Sequence, residues 1–271
     1  MSNNNQPEID ILYEDADCAV VNKPAGLMVH SDGRSGGPFL TDWIVKRFPD
    51  AVNVGEPMTA PDGSAVNRAG IVHRLDRETS GVLIVAKTQK GFESLKTQFK
   101  DRTISKKYLA FVWGDLKEEF GTIDKPIARS GSDFRKWSSG RGRRGEEREA
   151  ETYWTRIATG AWSRKPAVPA GRQEAGGKDD LKQEKFTLVE AQPKTGRTHQ
   201  IRVHFVAIQH PIVGDILYAP TREPALGFER LALHSRSIEF ENMAGKRIKV
   251  ESPLPEDFRR ACRDLNIKIE S

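Results

Sequence analysis

Residues 69 to 81 read AGIVHRLDRETSG, which sets one acid, Asp76, between Arg74 and Arg77 immediately before an apolar run. A carboxylate in such company can attack an electrophilic carbon as a nucleophile or move a proton as an acid or base, and flanking cations compensate its charge. The same pattern also fits a turn aspartate in a surface ion-pair network, a contact worth only about 0–1 kcal/mol. Spacing alone leaves both readings open.

A second pattern invites a cofactor reading and fails it. Residues 140 to 145, GRGRRG, match G-x-G-x-x-G letter for letter. The dinucleotide-binding form of that motif needs an apolar strand before the glycines and an amphipathic helix after them. Neither is present, so residues 135 to 148 (RKWSSGRGRRGEER) read as a basic loop. The six histidines form no H-E-x-x-H, and the five-residue step from His199 to His204 places the two off a shared helical face. No metal site is expected, and His73, His199 and His204 read as structural hydrogen-bonding residues.

Several elements must position Asp76. Two short apolar runs, 9 to 13 and 18 to 22, are joined by a polar cluster and predict a hairpin. Leu40, Trp43, Ile44 and Phe48 recur at helical spacing up to Pro49, giving a helix over 39 to 48. A loop rich in Pro, Gly, Asn and Asp follows over 50 to 70. Gly81 opens a β-branched run, 82 to 86, of the kind a sheet buries on both faces. Phe92, Leu95 and Phe99 mark a helix, and residues 108 to 113 alternate bulky side chains on both faces of a strand. Further strands are expected near 149 to 157, 185 to 191, 231 to 240 and 246 to 250, with helices at 198 to 208 and 255 to 264. Hairpins mixed with a few helices make the chain α+β. Residues 163 to 185 carry Pro, Ala, Gly and charge without apolar periodicity and read as a disordered insertion, which loop-closure entropy tolerates cheaply.

The chain has 271 residues, 37% hydrophobic and 30% charged, and a net charge of +5. That length is compatible with one continuous core, and we expect a single domain over 9 to 271 behind a flexible tail, 1 to 8. The basic balance suits a polyanionic partner without requiring one. Two distant cysteines, Cys18 and Cys262, and the lack of a leader-like N-terminus or a long apolar segment point to a soluble cytoplasmic protein, expected as a monomer away from membranes.

Four blocks together are far more specific. Residues 20 to 30 (VVNKPAGLMVH), 69 to 88 (AGIVHRLDRETSGVLIVAKT), 102 to 114 (RTISKKYLAFVWG) and 190 to 218 (EAQPKTGRTHQIRVHFVAIQHPIVGDILY) closely resemble, in order and spacing, the motif series of the RluA family of RNA pseudouridine synthases. The sister RsuA type usually has Gly where this chain has His73. The resemblance runs from about residue 9 to the C-terminal PLPEDF and leaves mainly 135 to 148 and 163 to 185 outside it.

That resemblance implies a pseudouridine synthase fold, a mostly antiparallel mixed sheet with flanking helices and a central basic cleft, and a reaction without a cofactor. It makes Asp76 the catalytic carboxylate, with Tyr108 from K-x-Y and Arg202 from I-R-V-H beside it. Arg202 is expected to face Asp76 and compensate its charge. Tyr108 offers a flat ring for the uracil, worth about 1–3 kcal/mol of stacking, and a hydroxyl that could help remove the carbon-5 proton. The target uridine of a ribosomal or transfer RNA must be flipped out of its stack, and Arg74 is suited to fill the gap. Arg77, Lys23 and Arg197 are expected as phosphate ligands, Arg197 beside a helix N-terminus, with Ile201 in the same substrate-binding set. The basic loop at 135 to 148 would touch RNA or stand solvated. Family relatives often carry a small RNA-binding module ahead of the catalytic domain, and none is expected here. Two other classes compete: a non-catalytic RNA binder on the same scaffold, and a hydrolytic uracil glycosylase. The second would need a water-activating partner that the motifs do not offer.

Overall fold

Side-chain alternation and turn chemistry set the order of elements in the computed structural model, which describes residues 8–31, 36–56, 58–59, 63, 65–66, 68–140, 142–163 and 183–269. The opening hairpin is β1 (Ile11–Glu14) and β2 (Cys18–Lys23). Its turn is tied by Asp15, whose carboxylate accepts from the backbone N–H groups of Asp17 (2.9 Å) and Cys18 (2.8 Å). Next come α1 (Leu40–Arg47), a 3₁₀ turn (Pro49–Asn53) and a two-residue-per-strand hairpin, β3 (Met58–Thr59) with β4 (Ala65–Val66). The β-branched run forms β5 (Ser80–Ala86), buried at every position. Helix α2 (Gln89–Lys100) is capped by Thr88, whose hydroxyl accepts from Gly91 N–H.

The remaining strands are β6 (Ser105–Trp113), β7 (Phe120–Asp124), β8 (Ile127–Ser130), β9 (Trp137–Ser138), β10 (Arg143–Arg148), β11 (Glu151–Ser163), β12 (Gln183–Pro193), β13 (Leu233–Glu241) and β14 (Arg247–Glu251). Helix α3 (Gln200–Ala207) follows β12, and α4 (Glu256–Asp264) follows β14. Among the described residues β1, β2, β5, β13, β6, β12, β11 and β7 lie side by side in that order, with β14 on β13, as one nine-stranded sheet. Within it β5 and β13 are parallel and the other named pairs antiparallel, so the chain is α+β with a mixed, mostly antiparallel sheet.

The parallel junction explains a glycine. Gly81 has φ +108°, and a Cβ there would run into the Ser235 carbonyl oxygen of β13. No L side chain could sit at this point without separating the two central strands. The core gathers on these strands, with Phe111, Phe228 and Phe258 packed ring against ring at 5.2–5.7 Å between centroids.

Two expectations need correction. Residues 135 to 148 are not a bare loop: β9 and β10 lie within them, and β9 and β10 both pair with β8 in a separate three-stranded sheet. Strand β9 is two residues long and β10 is mostly charged and exposed, while the small cluster beneath the ribbon is Ile127, Ala150 and Val203 with Trp137 and Tyr218, so the ribbon carries no apolar alternation for a pattern reading to find. The insertion expected at 163 to 185 falls largely outside the described residues. Its ends do not, because β11 runs through Ser163 and β12 begins at Gln183, in a hairpin pairing whose register continues to Ser163 opposite Gln183.

Candidate active site

The loop between the isolated bridge Ile71–Val85 and the first residue of β5 carries Asp76, whose side chain is 18% exposed. Two basic side chains, one buried and one part-buried, hold the backbone just after it. Lys23 donates from Nζ to the carbonyls of Pro24 (2.8 Å), Leu27 (2.8 Å) and Arg77 (3.1 Å). Arg230, clamped on Asp257 through two bonds, reaches the Glu78 carbonyl at 3.3 Å. Three carbonyl acceptors match the three N–H bonds of an ammonium, and Lys23 is fully buried. Burial pushes its pKa down to about 7, with Glu78 and Asp76 opposing. This corrects the expectation for Lys23: it cannot reach a phosphate, because its donors are spent on backbone carbonyls, one of them in the loop that carries Asp76.

Helix α3 supplies the opposing cation. Its N-terminus is pinned by Gln200, whose amide oxygen accepts from Thr195 Oγ1 (2.7 Å) and Arg197 N–H (3.0 Å), while its nitrogen donates to Glu151 O (2.9 Å) and Thr152 Oγ1 (3.0 Å). His204 adds a 2.9 Å contact to the same Thr152 hydroxyl. With the helix so fixed, Arg202 Nη1 donates to Asp76 Oδ2 at 3.2 Å. Its other two contacts, Nε and Nη2, both go to Asp215 at 2.8 Å. Asp215 also accepts from the N–H groups of Leu217 (3.1 Å) and Tyr218 (3.0 Å), and its side chain is wholly buried. Burial works against the Arg202 cation, but Asp215 and then Asp76 outweigh it and hold the guanidinium charged above its ordinary range. The Tyr218 ring lies against that guanidinium at 4.9 Å, and the Tyr218 hydroxyl meets His199 Nδ1 at 2.9 Å. His199 Nε2 stands 3.9 Å from Asp76 Oδ1. Burial lowers the His199 pKa in spite of Asp76 nearby.

Asp76 faces a cleft of about 530 Å³. Tyr108 of β6, Leu233 of β13 and Ile201 of α3 supply apolar walls. Tyr108 is 8% exposed, and burial pushes its hydroxyl up to about 12, so the phenol is protonated at neutral pH. Among the described residues lining this cleft Asp76 is the one carboxylate, beside seven lysines and arginines. A second, smaller cavity of about 240 Å³ lies on the other side of Asp76 and Arg202, bounded by Met28, Arg77 and Ile216.

The structure thus brings Asp76, Arg202, Tyr108 and Ile201 together. Arg74 is exposed and lines both cavities, and Arg197 lines the larger one while its Nε donates to Glu149 O (3.0 Å). Helix α3 begins at Gln200, so Arg197 sits in the turn before it. Arg77 is 65% exposed on its side chain, bonded to Gly26 O (3.0 Å), and belongs to the smaller cavity. Sequence reasoning missed Asp215 and Tyr218. Both stand in the block read for its motif, but 13 residues separate Arg202 from Asp215, and no periodicity joins a helix residue to a turn residue across that gap.

Residues 17–207 match the family model described as RNA pseudouridylate synthase. The chain is similar to an uncharacterized RNA pseudouridine synthase of Bacillus subtilis, 34% identical over 260 residues that cover 95% of this chain and 73% of the relative. It is also similar to the ribosomal large subunit pseudouridine synthase D of Pseudomonas aeruginosa, 35% identical over 266 residues, 93% of this chain and 70% of the other. Among solved structures, human RNA pseudouridylate synthase domain containing 4 superposes with a TM-score of 0.66 at 26% identity, covering 96% of this chain and 94% of that one.

Proposed function

The chain belongs to the RNA pseudouridylate synthase family, and from that premise we propose that it isomerises a uridine of structured RNA to pseudouridine with Asp76 as the catalytic carboxylate. The observation that carries this reading is the single carboxylate in a cationic cleft, held 3.2 Å from a guanidinium and walled by Tyr108, Ile201 and Leu233. Isomerisation breaks the N1–C1′ bond of uridine, leaves the electron pair on N1, forms C1′–C5, then moves the C5 proton off and returns one to N1. Nothing is gained or lost overall, so no water has to be activated. A hydrolase acting on the same bond needs a second carboxylate for that task. Asp215, which shares Arg202 with Asp76, has both oxygens bound to that guanidinium and its side chain buried.

In this reading Asp76 either captures C1′ or steers the freed sugar, and Arg202 keeps its oxygen directed into the cleft. Tyr108 supplies the face on which the base turns. Its protonated hydroxyl favours stacking over proton removal, since a buried phenol resists becoming the phenolate that would act as a base. Arg74, exposed at the rim, is placed to fill the space left by the flipped nucleotide. The ribosomal substrate named for one relative makes large-subunit RNA the first RNA to examine, with transfer RNA next, and two free buried thiols accord with a cytoplasmic setting.

The test is a chemical pseudouridine map of total RNA from cells with and without the gene, followed by conversion of the identified RNA by purified protein. A pseudouridine that disappears with the gene and is restored by wild-type protein, but not by Asp76→Asn, is expected. Release of free uracil with an abasic ribose would instead identify a hydrolytic glycosylase.

A further inference from the structure

The cleft is longer than the uracil site needs. At about 530 Å³ it lies in the range of pockets that hold drug-sized ligands, about 300–1,000 Å³, and it extends from Asp76 past Tyr108 to Phe99, Lys100, Arg102 and Lys106. Lys106 and Lys107 are neighbours on β6 with opposite fates. Lys107 points to one face of the sheet and pairs with Glu190 at 2.8 Å. Lys106 points to the other, where it shares the cleft with Tyr108. Among the described residues its ammonium meets no acceptor. It lies 5.7 Å from the centre of the Phe99 ring, and Lys100, Arg102 and Arg74, which line the same cleft, are cationic as well. Burial pushes the Lys106 pKa down to about 8, so most of it is charged at neutral pH, and among the described residues no carboxylate pairs with it.

We propose that Lys106 holds a backbone phosphate of the nucleotide being isomerised, inside the cleft and one side-chain step along β6 from the Tyr108 ring that carries its base. Residues i and i+2 of a strand stand about 6.7 Å apart on one face, a separation that a ribose bridges between a base and its phosphate. A phosphodiester supplies the missing acceptor and the missing charge. The lysine then fixes the ribose over Asp76 from the end opposite Arg202, which makes it a binding residue of the substrate rather than part of the chemistry. The inference rests on the pseudouridine synthase reading of the site.

The test compares wild type, Lys106→Met and Lys106→Arg on a stem-loop RNA carrying the mapped uridine, and on the same RNA with one methylphosphonate, 5′ or 3′ of that uridine. Lys106→Met should raise KM about tenfold or more with kcat within about twofold, and Lys106→Arg should recover most of the loss. The dependence of log(kcat/KM) on log salt should flatten by about 0.7, the increment for one phosphate on a single strand. One of the two methylphosphonates should weaken wild type as the substitution does and add nothing in Lys106→Met. A fall in kcat at constant KM, additive losses, or an unchanged salt slope would each overturn the proposal, the first by making Lys106 a proton carrier. The same slope read from RNA binding alone judges Lys106 even if no uridine is converted, so the failure of this inference and of the parent reading are told apart.

Discussion

Arg202 is bound more closely to Asp215 than to Asp76: two parallel bonds of 2.8 Å join it to the first, and one of 3.2 Å to the second. A guanidinium fixed by a bidentate carboxylate has one edge left to offer, and that edge faces Asp76. Asp215 therefore aims the cation, while Asp76 is left with oxygen lone pairs free for chemistry.

Replacing Asp215 with Ala should uncover a buried charge. Removing one partner of such a pair costs about 3–5 kcal/mol, so the urea midpoint should fall steeply while Arg202 swings out of line and turnover drops with it. Asp215→Asn keeps one acceptor and should be milder on both counts. A stability loss under about 1 kcal/mol in Asp215→Ala, read by urea denaturation, would mean the pair does not carry the weight its geometry implies.

Asp76→Asn should separate chemistry from binding. The amide keeps the shape and an acceptor for Arg202, whose charge is still met by Asp215, so stability should stay within about 1 kcal/mol of wild type. RNA affinity should persist and product formation fall by at least about 10³-fold, as when an enzyme loses its nucleophile. Single-turnover assays with pre-bound RNA check this. Residual turnover near wild type would remove Asp76 from its central role.

How much of this was legible beforehand depends on where each residue keeps its partners. Strand β5 and helix α2 announce themselves, because the partners that matter are local periodicities: an unbroken apolar run rich in β-branched residues after Gly81, and Phe92, Leu95 and Phe99 on one helical face. Asp76, Tyr108 and Arg202 were found through motif resemblance, since no local pattern sets a turn acid, a strand tyrosine and a helix arginine in one cleft. Lys23 was misjudged for the same reason. From sequence it is a basic residue before a proline, and only the fold shows three carbonyls closing around it. Strands β9 and β10 were missed because β9 is two residues long and β10 is charged and mostly exposed, so neither writes an apolar alternation into its sequence.

Lys23→Met should therefore act through the loop and not through RNA affinity. Losing the amine leaves the buried Leu27 carbonyl without that partner, at about 1–3 kcal/mol for an unsatisfied group, and leaves the Arg77 carbonyl tied by the Gly26 N–H (2.9 Å) without the lysine. The expected outcome is faster amide exchange over residues 76 to 79 and a lower kcat at nearly constant KM. A pure KM effect would return Lys23 to the list of RNA ligands.

For Tyr108 the ring and the hydroxyl are predicted to differ in worth. With the phenol pushed up to about 12 by burial, proton removal by phenolate is unfavourable at neutral pH. Tyr108→Phe should keep turnover within about tenfold, a loss of about 1.4 kcal/mol or less. Tyr108→Ala should lose about 1–3 kcal/mol of base stacking. Abolished turnover with intact RNA binding in the Phe variant would restore the acid–base role.

Acid should loosen the centre of the sheet through His234. Its side chain is fully buried at the start of β13, with Nδ1 2.9 Å from the Ser80 hydroxyl on the parallel strand β5. Burial first, then Arg230 and Arg236, push its pKa down to about 3 from an ordinary 6.5. The unfolded chain consequently binds the proton first as pH falls. The stabilisation is whole above pH 6.5, shrinks as pH falls below it, and is gone near pH 3, with a limiting slope of about 1.4 kcal/mol per pH unit for one group. His234→Gln can still bond Ser80 but cannot titrate, so its stability curve should be flatter than wild type's over that window and less stable above it. Urea denaturation at half-unit steps from pH 4 to 8 measures both curves. Parallel curves would show that His234 does not set the acid limit of this junction, and attention would pass to His73, whose ring accepts from the Ile84 N–H of the same strand and whose pKa burial also lowers to about 3.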